Sequence, residues 1–148
     1  TFVDWKKTES IVLSHDEGDD DTGDYIIDSP PPSSPEGVMI AYVSAARMRD
    51  REAGAAAMDA LLHSEVRGDP DALVTARQNI RGGQRLVERM LVWDDASAFV
   101  LKEWRNRGDR VVLFAASEDE GARKCFLARD PVAGRAWRIS GACITGSI

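Results

Sequence analysis

Apolar residues recur along this chain with two different periods, and the point where the period changes divides it. Between residues 38 and 66, apolar or small residues fall at Val38, Ala41, Ala45, Met48, Ala55, Met58, Leu62 and Val66. That spacing is near 3.6 and predicts a long helix ending at Gly68. Ser34-Pro35-Glu36 supplies its start: a Ser hydroxyl accepts from a first-turn N–H that has no helical partner, and Pro has no such N–H to leave unpaired. The run Val38–Val43 also fits a strand ahead of a shorter helix, but one helix accounts for more of the positions.

Asp69-Pro70-Asp71 repeats the start signal. A second helix is predicted through Leu73, Ala76 and Ile80 as far as Gly82-Gly83, where two glycines cost about 2 kcal/mol relative to alanines and predict a break. Leu86, Met90, Trp93, Val100, Leu101 and Trp104 form a further helical stripe, restarted at Asp94 or Asp95 and stopped at Asn106–Asp109.

Beyond Gly108 the period becomes 2. Val111–Ala115, Cys125–Ala128 and Ala136–Ile139 are short apolar runs separated by turn residues, which predicts a three-stranded antiparallel meander. Helices first and strands last is the order of a segregated α+β domain. Centring the last hairpin on Asp130–Gly134 sets Cys125 and Leu127 opposite Ile139 and Trp137. Cys143 then falls four residues past the partner of Cys125, about 13 Å along a strand, and no disulfide is expected.

Charge adds a second division. Residues 1–37 carry two Lys against ten Asp/Glu, net −8, and residues 38–148 are net +2, together the −6 of the whole chain. Residues 14–37 are too acidic and too proline-rich to offset their ordering entropy by burial. The reading is an extended acidic arm over 1–37 ahead of one α+β domain over 38–148. Ile11-Val12-Leu13 and Tyr25-Ile26-Ile27 are apolar islands in that arm; they read as strands or docking residues of this fold or of a neighbouring copy, or as points of contact with a partner.

With 43% hydrophobic and 30% charged residues, the body has the composition of a self-sufficient globular core. No apolar run of membrane-spanning length occurs, nor does the basic-then-apolar order of a signal peptide. Two cysteines suit a reducing compartment, so the chain reads as soluble, either intracellular or within a large particle. Its start at Thr1 reads as processing or as a segment of a longer polypeptide.

Candidate chemistry is sparse. His15 lies in the arm and His63 on the first helix. Cys125 is placed facing the core. The acidic run at Asp19–Asp21 does not match a calcium loop, and no glycine-rich phosphate loop or nucleophile elbow occurs. No catalytic residue, cofactor or metal site is assigned. Arg77, Arg81, Arg85 and Arg89 recur at i+4, a row suited to an acidic partner or to phosphate. The negative net charge disfavours nucleic acid.

Ile11-Val12-Leu13-Ser14-His15-Asp16-Glu17 resembles a SUMO-interacting motif, and Asp24-Tyr25-Ile26-Ile27-Asp28-Ser29-Pro30 resembles a weaker second copy; the resemblance implies that an aliphatic run adds a strand to a partner's sheet edge while the acids meet basic residues. The main reading is a non-enzymatic structural or interaction domain of a larger assembly, of capsid-decorating, scaffold or adaptor type, docking on a protein partner or on copies of itself through the acidic arm. A regulatory module using the SUMO-like islands is the second reading. A small hydrolase or transferase using Asp94, Asp95, Glu103 and His63 is the third.

Overall fold

The computed structural model describes Val12 and residues 20–28, 30–86, 98–117 and 121–143. Strand β1 (Asp20–Asp28) is followed by helices α1 (Pro35–Ala46), α2 (Arg51–Asp59), α3 (Ser64–Arg67) and α4 (Pro70–Leu86). Strands β2 (Ala98–Asn106), β3 (Arg110–Ser117), β4 (Gly121–Asp130) and β5 (Ala136–Cys143) complete the chain order. The α+β class stands. The meander has four strands rather than three, and β1 pairs antiparallel with β2 to give a five-stranded sheet in the order β1-β2-β3-β4-β5.

The helix starts follow from capping. Ser34 accepts from the Gly37 N–H at 3.0 Å with Pro35 next in line, Asp50 accepts from Glu52 and Ala53, and Asp69 accepts from Asp71 and Ala72. Each carboxylate or hydroxyl satisfies donors that have no intrahelical partner. The long helix expected over 38–66 is three helices: Met48 of the expected stripe is exposed between Arg47 and Arg49, and Asp50 recaps the chain. Gly37 is placed where a Cβ would run into the Pro31 carbonyl oxygen.

Two further corrections share one cause. The stripe read as helical through Leu101 and Trp104 is strand β2. A register shift between Leu101 and Glu103 sets both Leu101 and Trp104 on the core face, where they are 0% and 1% exposed. A bulge thereby gives a strand the i, i+3 spacing of a helix. In β5, Leu127 pairs with Ile139 but Cys125 pairs with Cys143, so Ser140, Gly141 and Ala142 are unmatched in β4. That bulge, together with a turn centred one residue later than expected, brings the sulfurs into bonding contact as a Cys125–Cys143 disulfide. The disulfide excluded on spacing is present.

α4 also runs on through Gly82-Gly83. Its packing on α2, α3 and β5 outweighs the local glycine penalty.

The core lies between the helices and one face of the sheet. Met39, Tyr42, Val43 and Met58 from the helices meet Leu113, Leu127, Trp137 and Ile139 from the strands, all buried. Burial pushes the Tyr42 hydroxyl pKa upward, as expected for a group whose charged form is desolvated.

Two described parts of residues 1–37, β1 and Val12, belong to the folded body. Asp20–Asp28 is a sheet strand, with a register shift at Gly23-Asp24, and Ile27 is fully buried. Val12 is also fully buried. Its N–H donates to Glu36 Oε2 at 3.0 Å and its carbonyl accepts from Asn106 Nδ2 at 2.9 Å. Glu36 and Asn106 are themselves buried. No helix among the described residues is long and apolar enough to cross a membrane.

Candidate functional site

Three places on this framework collect chemistry: the junction between α3 and the β4–β5 turn, the outer sheet face, and a cleft beside β5.

At the junction, Leu61–His63 lies parallel to β5. The His63 N–H donates to Ile139 O, and the Ile139 N–H donates to Leu61 O, each at 2.8 Å. His63 then caps α3, its Nδ1 accepting from the Glu65 N–H at 3.1 Å while Nε2 sits 2.8 Å from the Arg129 carbonyl. Since Nδ1 accepts, the ring proton resides on Nε2 and is donated to that carbonyl. Asp130 accepts from the Ser64 N–H at 2.9 Å, the Ser64 hydroxyl at 2.7 Å and the Val132 N–H at 3.0 Å. Burial pushes the Asp130 carboxyl up, but the hydrogen bonds from Ser64 and Val132 outweigh it and hold its pKa below the ordinary value.

Ser, His and Asp thus lie side by side without the relay of a hydrolase. The Ser64 hydroxyl donates to the carboxylate, and both imidazole nitrogens face main chain. Glu103 lies two strands beyond β4, on the opposite face of the sheet, bound to Arg105 at 2.8 Å. His63 and Glu103 are therefore not brought together. Asp94 and Asp95 lie outside the described residues. Among the described residues no three His, Cys, Asp or Glu side chains converge as a metal site.

The outer sheet face is where sequence reasoning saw only alternation. Phe114, Val112, Phe126 and Ala128 point away from the helices, in register with Lys124, Arg105, Arg110 and Arg138. The Arg105 guanidinium lies 5.0 Å from the Phe114 ring centroid and the Lys124 ammonium 5.9 Å from it, a geometry in which the negative ring face attracts both cations. Against these four cations, Glu103 is the one carboxylate on the face among side chains described, and Asp20 of β1 is the register partner of Arg105. The signal was present in the even-numbered residues of β3 and β4, but it becomes a patch only once register is known.

The cleft, of about 360 Å³, lies between α3, α4 and the bulge of β5. Leu62 and Val66 form its apolar floor. Ala72 and Ala76, one turn apart, leave room on the α4 side, with Asp71 and Thr75 at the mouth. Ser140 and Gly141 form the opposite wall.

The residues expected to bind a partner are dispersed. Val12 and Ile27 are in the core, Tyr25 and Ile26 are on β1, and Ile11 and Leu13 lie outside the described residues. Of the arginine row, Arg77 is exposed and lies 3.5 Å from Asp59, which also takes Arg67 at 3.4 Å. Arg81 and Arg85 follow it on α4, and Arg89 lies outside the described residues. No family model, curated protein or solved structure matches this chain.

Proposed function

We propose that this chain is a non-enzymatic interaction domain working within a larger assembly of scaffold, adaptor or capsid-decorating type, and that it meets an acidic protein segment on the outer sheet face. The observation that carries this reading is the placement of Arg105, Arg110, Lys124 and Arg138 around Phe114. A molecule of net charge −6 concentrates cations there against its overall balance. Arginine over an aromatic ring is a composition enriched at protein interfaces.

The chain carries a fitting partner chemistry of its own. Residues 13–24 hold six Asp/Glu and no Lys or Arg, so the corresponding segment of a second copy is one ligand of the right charge. Because Val12 and Ile27 anchor this segment to its own body, contact is with a neighbour's face while each anchor stays seated.

The reading is tested with a labelled peptide of residues 13–24 and the full chain, followed by fluorescence anisotropy. Binding that weakens with salt, and that is lost in the double variant R105E/K124E, supports it. No anisotropy change at low salt, or binding indifferent to the double variant, refutes it.

The SUMO-type reading requires Ile11–Leu13 to add a strand elsewhere. The burial and pairing of Val12 weigh against it, because the main-chain groups of that residue are already used. For compartment, the buried disulfide favours an oxidising setting over the reducing one expected from two isolated cysteines.

A further inference from the structure

The cleft between α4 and β5 has a composition that selects among ligands. Its floor is aliphatic, and its α4 wall is cut back to alanine at two successive turns, so the space is open to an apolar body. Its volume lies at the lower end of the range of small-molecule sites. The polar groups at the mouth are the hydroxyls of Thr75 and Ser140 and the carboxylate of Asp71, with no Lys or Arg among the lining residues.

An anion is disfavoured twice over. Asp71 repels it, and the first N–H groups of α4 that could receive it are already taken, since Asp69 Oδ1 accepts from the Asp71 N–H at 3.0 Å and the Ala72 N–H at 3.3 Å. The positive end of the helix dipole acts against a cation there, but Asp69 and Asp71 place two carboxylates in the same turn.

We infer that this cleft binds a small aliphatic amine, its alkyl body on Leu62, Val66, Ala72 and Ala76 and its ammonium at Asp71 with Thr75 and Ser140 as hydrogen-bond partners. None of its lining residues is among the outer-face cations Arg105, Arg110, Lys124 and Arg138.

The probes are n-hexylammonium, 1-hexanol and hexanoate, each titrated into the isotope-labelled full chain while amide shifts are followed by NMR. The expected order of affinity is ammonium, then alcohol, then carboxylate, with shifts centred on Ala72, Thr75, Ala76 and Gly141. Asp71→Asn should weaken the ammonium about two- to fivefold, as for a solvent-exposed charge pair, and leave the alcohol unchanged. Ala76→Trp fills the cleft and should abolish binding of all three.

Should Ala76→Trp not fold, Thr75→Met at the exposed mouth provides the same block. Hexanoate binding as tightly as the ammonium, an Asp71→Asn chain that binds ammonium as well as the parent, blocked variants that still bind, or no shift at millimolar probe would each overturn the assignment.

Discussion

Replacing Asp130 by Ala removes one acceptor from three donors at once: the Ser64 N–H, the Ser64 hydroxyl and the Val132 N–H. A hydrogen bond to a charged acceptor contributes about 1.5–3 kcal/mol. The three do not count equally. Val132 is 80% exposed, so water replaces its partner, and the Ser64 hydroxyl can rotate elsewhere. The Ser64 amide, in the first turn of α3 and part-buried, is left without an acceptor.

The expected loss for Asp130→Ala is therefore about 2–4 kcal/mol, and for Asp130→Asn, which keeps one oxygen, about 1–2 kcal/mol. Urea unfolding at neutral pH measures both. The pH dependence supplies a second check. A carboxyl whose folded pKa is lowered binds fewer protons folded than unfolded, so its contribution is complete above the unfolded value of about 3.9 and is lost as pH falls through the lower folded value. The gap between parent and Asp130→Ala should thus narrow below about pH 4. A loss under about 0.5 kcal/mol, or a gap unchanged at acid pH, would refute the role given to this carboxylate.

Two other outcomes follow from the packing. Val12→Ala removes two fully buried methyl groups and should lower stability by about 2–3 kcal/mol in the same urea assay, far above the near-zero effect expected in a free arm. Eliminating the Cys125–Cys143 bond, which closes a sequence separation of 18, by the double Ser variant should cost about 3 kcal/mol by the chain-entropy argument. Both sulfur residues are at most 1% exposed, so in the native parent the bond should also resist reduction by a thiol reagent, read by alkylation of the released thiols, until the chain is unfolded.

How much of this was legible in the sequence depends on whether the signal was local. Ser34-Pro35, Asp69-Pro70 and the Gly68 stop act through their neighbours, and the helix boundaries they mark are where capping chemistry puts them. The change of period at Gly108 likewise located β3, β4 and β5. Bulges were invisible, because one inserted residue gives Leu101 and Trp104 a helical spacing, and the slip at Ser140–Ala142 carries Cys143 to Cys125. Most misleading was composition: the acidic run averages out Val12 and Ile27, whose fate was decided by distant partners, Glu36, Asn106 and strand β2. The cationic outer face and the α4 cleft are products of register and of helix docking, and neither has a signature in contiguous sequence.

Native-state hydrogen exchange at the Val12 amide of the full chain addresses the central structural claim, that Val12, like strand β1, is bound into the body of the fold. Donation to buried Glu36 predicts exchange as slow as that of core amides such as Leu113, within about tenfold. Exchange at the rate of an unstructured peptide would contradict it.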